Sequence, residues 1–237
     1  QAAPPAQAPA PAQAPPAMPL GKITLKKEGR AVISLDKGDT TATVTATLEW
    51  DGGSDDRREM GADLDLYALY VPAHQVEAAG AGPLAKKGKK GKRRTETDGT
   101  VYYRDLGSLT APPFLQLDGD AKVPGRETIR ITRPDQQGYV LICAYSAVEN
   151  GAGSFKSYGA HAMVTDGRGS TVTVPLFNDR PSSYWVAITL VDFTAPGGVE
   201  IRHVERYSSG GEARPLLYAD GSFEMDMGPV EFKDTDF

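Results

Sequence analysis

The chain has 237 residues, 26 Lys and Arg against 31 Asp and Glu for a formal net charge of −5, three histidines and a single cysteine. One thiol excludes an intrachain disulfide, and no stretch is apolar for long enough to cross a membrane as a helix. The length suits one large all-β domain or two small ones and is enough to bury a core.

Residues 1–19 are almost wholly Ala, Pro and Gln, a composition that favours extended, solvated chain and reads as a linker or tail. They lack the basic start and apolar run of a secretory signal, so the expected compartment is the cytoplasm. From Ala31 the pattern is that of strands. In residues 41–50, Ala42, Val44, Ala46, Leu48 and Trp50 alternate with mostly threonine, as in a strand with one wet side.

Residues 61–71, Gly-Ala-Asp-Leu-Asp-Leu-Tyr-Ala-Leu-Tyr-Val, form the stretch against which the rest is read. In an extended strand Asp63 and Asp65 share a face with Tyr67, Leu69 and Val71, while Leu64, Leu66, Ala68 and Tyr70 take the other. Both faces are apolar beyond the two acids, so the strand belongs inside a packed sheet. Two carboxylates at its entrance then call for a hard cation, a Lys or Arg partner, or exposure at the strand end. Residues 72–97 read as a flexible basic insertion containing Lys86, Lys87, Lys89, Lys90, Lys92, Arg93 and Arg94, with residues 76–79 the place to look for a short helix.

Short β-like runs follow at 114–117, 128–132, 138–148, 161–165, 170–176, 183–192 and 199–207, separated by turn signals such as Asp166-Gly167 and Gly197-Gly198. No amphipathic helical period stands out. The pattern predicts an all-β fold, an antiparallel β-sandwich over residues 20–232 with a short tail at 233–237. Cys143 lies in an apolar run and reads as a small core residue.

A second acidic group, Asp118-Gly119-Asp120, sits on a turn, and Glu127 opens the next strand. Such a loop is an ordinary solvated turn or a wrap for a cation, and its spacing is not that of an EF-hand. Taken together, Gly61-Ala62-Asp63-Leu64-Asp65-Leu66, the run 107–120 ending Leu-Gln-Leu-Asp-Gly-Asp, and Gly125-Arg126-Glu127-Thr128-Ile129 resemble the TerD-domain tellurium-resistance proteins, most nearly the TerA-like branch. Residues 186–193, 197–202 and Trp50-Asp51 are similar to further parts of that family. The resemblance implies a calcium-binding β-sandwich acting in stress response and tellurite resistance. It further implies work beside other TerD-family proteins in a membrane-associated complex at the inner face of the membrane. Asp63, Asp65, Asp118, Asp120 and Glu127 fall on the family's acidic motifs. Tyr67 stands where the family has a third aspartate and the loop 121–126 carries Lys122 and Arg126, so the resemblance implies one weak Ca²⁺ site.

The basic run is expected to act, if at all, as a surface for an acidic protein partner, nucleic acid or anionic membrane; without interleaved aromatics to stack bases, nucleic acid is the weakest of these. Catalysis finds little support. His74, His161 and His203 are far apart, and no zinc-ligand spacing, nucleophile elbow or phosphate loop is present. His203, in an alternating strand, reads as a hydrogen-bonded structural histidine. With what the resemblance implies, the whole is read as a calcium-binding, non-enzymatic interaction module of a stress response or tellurite resistance, with a metal-free scaffold acting through its basic loop as the alternative.

Overall fold

The computed structural model describes residues 20–59, 63–78, 96–97, 99–119, 125–147 and 154–230. The strands in chain order are β1 (Lys22–Thr24), β2 (Arg30–Ser34), β3 (Val44–Trp50), β4 (Asp65–Pro72), β5 (Glu96–Thr97), β6 (Thr100–Val101), β7 (Gly107–Ser108), β8 (Leu115–Leu117), β9 (Gly125–Ile131), β10 (Gln137–Tyr145), β11 (His161–Thr165), β12 (Thr171–Pro175), β13 (Trp185–Asp192), β14 (Gly198–Tyr207), β15 (Leu216–Tyr218) and β16 (Phe223–Glu224). They build a seven-stranded sheet in the order β1-β12-β11-β3-β9-β8-β7 and a six-stranded sheet in the order β2-β14-β13-β10-β4-β6. A small third sheet joins β16, β15 and β5. Every pairing is antiparallel except that of β1 with β12. The expected all-β sandwich is the fold.

Period-2 alternation explains how the core is assembled. Val44, Ala46, Leu48 and Trp50 of β3, Ile129 and Ile131 of β9, and Leu66 and Ala68 of β4 point between the two large sheets and are buried there. Gly125 is required by close approach, because a Cβ on it would lie 1.9 Å from Trp50 Cζ2.

The other face of the six-stranded sheet is also buried. Tyr67, Leu69 and Val71 of β4 join Leu141, Cys143 and Tyr145 of β10 and Trp185 of β13 in a second cluster, with Leu217, Phe223 and Met225 of the C-terminal segment packed into it. Tyr67 lies 4.7 Å, centroid to centroid, from Trp185 and stacks on Tyr102 at 5.0 Å. Aromatic pairs of this kind contribute roughly 0.5–1.5 kcal/mol each beyond the area they bury. This layer is why β4 is apolar on both sides, and it gives the irregular-looking C-terminal residues a role as a cover.

Short helical segments stand between the strands. No helix is formed at 76–78, residue 79 lying outside the described residues; a single 3-10 turn stands just before them at Ala73–Gln75, closed by the Val76 N–H to the Ala73 carbonyl. A five-residue helix, α1 (Asp55–Glu59), has two acids in its first turn that complement its N-terminal dipole. Within 72–97 the described residues are the last of β4, the 3-10 turn, residues 76–78 and β5. The basic residues Lys86, Lys87, Lys89, Lys90, Lys92, Arg93 and Arg94 lie outside the described residues, as do residues 1–19 and 231–237.

Candidate functional site

The acid-rich end of the sandwich is built where β4 and β9 begin. Even-numbered residues of β4 direct their N–H groups toward β6, as shown by Tyr70 N–H donating to the Gly99 carbonyl at 3.0 Å. β6 pairs only with Ala68 and Leu69, so the Leu66 N–H lies beyond its end. Glu127 takes that N–H: its Oε2 accepts from Leu66 at 2.6 Å. Glu127 shares the inward face of β9 with Ile129 and Ile131, is only 2 % exposed, and so ties one large sheet to the other.

Asp118 is placed differently. The β8–β9 hairpin sets it opposite Thr128, and the Arg130 guanidinium holds it by two contacts, Nη2 to Oδ1 at 2.9 Å and Nε to Oδ2 at 3.1 Å. Arg130 lies on the outer face of β9, opposite to Ile129 and Ile131. Asp65, 1 % exposed, lies on the Tyr67 face of β4, away from the face that Leu66 presents to β9. Asp63 precedes the strand and is half-buried. Both Asp63 and Asp65 have partners within the protein, and Asp120 lies outside the described residues.

The alternation that builds the sandwich therefore parts the acids that cluster in the sequence. Asp118 sits outside one sheet, Glu127 between the sheets and Asp65 outside the other. Among the described residues no three of His, Cys, Asp and Glu come together closely enough to hold a metal ion. Ca²⁺ takes six to eight oxygens, and the described carboxylates do not form a cage of that kind. Asp118 is thus neither a free solvated turn residue nor part of a described cation cage, but one half of an ion pair with Arg130.

A second constellation stands at the far end of β14, under an open cleft of about 1020 Å³. His203, Glu205 and Tyr207 alternate onto one face, as their spacing dictates. Val204 and Glu205 both stand opposite Ile188, a bulge that leaves Glu205 at φ +39°. Glu205 Oε1 accepts the N–H groups of Phe177 at 2.7 Å and Asn178 at 2.6 Å and the Tyr207 hydroxyl at 2.9 Å. Burial, and then the Glu205 carboxylate, push the Tyr207 hydroxyl far above its usual range, so it stays a donor.

His203 Nδ1 accepts the Glu28 N–H at 3.1 Å. That fixes a neutral ring whose Nε2–H faces the Pro175 carbonyl at 3.2 Å, with Glu205 Oε2 at 3.4 Å. His203 is thus the structural histidine expected from its strand. Its i, i+2, i+4 spacing with Glu205 and Tyr207 was a legible signal; the bulge that turns Glu205 was not. His74 does not line this cleft, and His161, although paired across β11 and β12 with Pro175, directs its ring to Glu49 at 3.4 Å. Cys143 is fully buried, and desolvation raises its thiol well above the ordinary range.

These features define an all-β sandwich with an acid-rich end, a covered outer face and an open cleft. No family model matches the chain, and no curated protein matches it. Among solved structures it is similar to a homologue of the telluride resistance protein TerD from Streptomyces coelicolor A3(2), at 15 % identity and a TM-score of 0.45, over 70 % of this chain and 89 % of that one. It is similar also to a protein of unknown function, at 12 % identity and a TM-score of 0.44, over 71 % of this chain and 91 % of that one. Neither likeness fixes a function. No described helix is long and apolar enough to cross a membrane.

Proposed function

We propose that the chain is a non-enzymatic, TerD-like interaction module that serves a tellurite-resistance or related stress response by holding partner proteins. The observation that supports this reading is how the ionisable groups are used. Where His203, Glu205 and Tyr207 converge, each is committed to main-chain groups or to the others, as scaffold residues are. Above them the cleft is wide and mixed in character, with Arg180, Arg206, Phe223, Met225 and Met227 at its walls, a composition suited to a protein contact. The motif residues 61–66, 107–120 and 125–129 supply the TerD-like part of the proposal.

A second reading, a single weak Ca²⁺ site, is favoured by one observation: Asp63 and Asp65 stand two residues apart at one strand entrance, with Asp63 half-open to solvent. These two would hold the ion, supplying carboxylate oxygens of the hard type it prefers. Bound there, it would stiffen the strand entrance.

Cells from which the coding sequence is removed test the main reading. The native chain is expected to restore tellurite tolerance, whereas the cleft variants Arg180→Glu and Met227→Asp fold with unchanged melting temperature and fail to restore it. Tolerance indifferent to the gene, or restored equally by both variants, would overturn the proposal.

A further inference from the structure

A separate cavity of about 320 Å³ opens where the 3-10 turn after β4 meets the loop before β8. Its lining is aromatic and prolyl, with Tyr70, Phe114, Pro72, Pro112 and Pro113, and carries His74, the Gln75 amide and Gln136, whose amide N–H donates to Asp135 at 2.7 Å. The two rings are held in place by main chain. A Cβ on Gly99 would fall 2.6 Å from Tyr70 Cζ, so Gly99 is the residue that lets this ring lie against the backbone. Phe114 adopts φ +61°, a conformation that L residues rarely take. Four contacts keep it there: its N–H donates to Ala111, its carbonyl accepts the N–H and hydroxyl of Thr132, and the Arg133 guanidinium sits 5.5 Å from its ring centroid.

Rings and prolines with interspersed donors are what a polyproline II segment requires: its rings pack on aromatic faces, and its unpaired carbonyls accept hydrogen bonds. Burial, and then the charge of Asp105, raise the Tyr70 hydroxyl above its ordinary range, so it remains a donor. None of the hydrogen bonds among the described residues engages that hydroxyl, leaving it available to a ligand.

The chain carries a proline-rich sequence of its own. Pro4, Pro5, Pro9, Pro11, Pro15, Pro16 and Pro19 precede Leu20, and the Leu20 N–H is fastened to Ser170 Oγ at 3.1 Å beside β1. β1 and β8 are separated by five strand-to-strand steps, about 24 Å at roughly 4.8 Å per step. Polyproline II advances about 3.1 Å per residue, so about eight residues are consumed before the tail reaches the cavity. Pro15, Pro16 and Pro19 are too close to the anchor, whereas Pro4, Pro5, Pro9 and Pro11 are within reach. We propose that the cavity between Tyr70 and Phe114 is a polyproline-binding site that docks the Pro4–Pro11 part of the chain's own N-terminal segment.

The test uses the full chain with ¹³C-labelled Tyr and Phe rings, observed by NMR. Replacing Pro4, Pro5, Pro9 and Pro11 by Ala is expected to shift the Tyr70 and Phe114 ring signals, while Pro15→Ala with Pro16→Ala leaves them in place. Adding a synthetic peptide of residues 1–12 to the first variant should return the signals saturably. Tyr70→Phe, which keeps the ring, should weaken that peptide by about tenfold, the loss of one hydrogen bond. Identical ring signals in the native chain and the first variant would overturn intrachain docking. So would peptide binding without an intrachain effect, which would give the site to a second copy's tail or to a foreign proline-rich partner.

Discussion

Replacing Glu127 by alanine tests the contact that joins the two sheets at the acid-rich end. The substitution removes the acceptor 2.6 Å from the Leu66 N–H and leaves that donor buried beyond the end of β6. A hydrogen bond to a charged group contributes about 1.5–3 kcal/mol, and stranding its buried partner costs about as much as the bond itself. A loss of roughly 2–3 kcal/mol follows, and in a domain of this size each kcal/mol moves the melting temperature by about 2–4 °C. Glu127→Ala should therefore melt about 4–12 °C below the native chain in a calorimetric or circular-dichroism scan. Glu127→Gln retains an oxygen acceptor and should lose less than half of that. A Glu127→Ala chain that melts within 1 °C of native, or a Gln variant as damaged as the Ala variant, would refute a structural tie at this position.

Three further outcomes are expected. Gly125→Ala, which drives a Cβ into the Trp50 indole, should cost about 1–3 kcal/mol through overpacking and lower the melting temperature by roughly 3–10 °C. Native Cys143 should resist thiol reagents, its labelling rate following global unfolding, because the buried thiol is pushed above its usual range. Asp39 should titrate at about 2 by NMR, held down first by the Thr41 hydroxyl and then by Arg168; Thr41→Val should move it toward 3.8 more than Arg168→Ala does. Because that folded value is depressed, the stabilising effect of Asp39 is complete above about pH 4 and is lost as pH falls toward 2.

Much of this architecture is legible in the residues, because strand alternation is a local property. The face of β3 from Val44 to Trp50 and the doubly apolar β4 could be read directly, and both are buried as their patterns require. What covers the second face of β4 could not, since Leu217 and Phe223, paired across the short strands β15 and β16, and Met225 come from a stretch too short and irregular for strand periodicity to show. The acidic motifs show the same division. Their presence near strand ends is written in the sequence, but the faces taken by Asp118, Glu127 and Asp65 depend on which strands become neighbours and on where β6 stops. Arg130 as the partner of Asp118 follows from the hairpin register, a tertiary property. The positive φ at Phe114 and Glu205 is likewise imposed by surroundings.

The most direct measurement is the melting temperature of the full chain in 10 mM Ca²⁺ and in chelator, run beside Asp63→Asn. With Asp118 held by Arg130 and Glu127 by Leu66 on different faces of the sandwich, the melting temperature is expected to agree within about 1 °C in the two buffers. A ligand present at a hundredfold its Kd would stabilise by about 2.7 kcal/mol, or roughly 5–10 °C here. A rise of that size, abolished by Asp63→Asn, would contradict the scaffold reading and establish the strand entrance as a cation site.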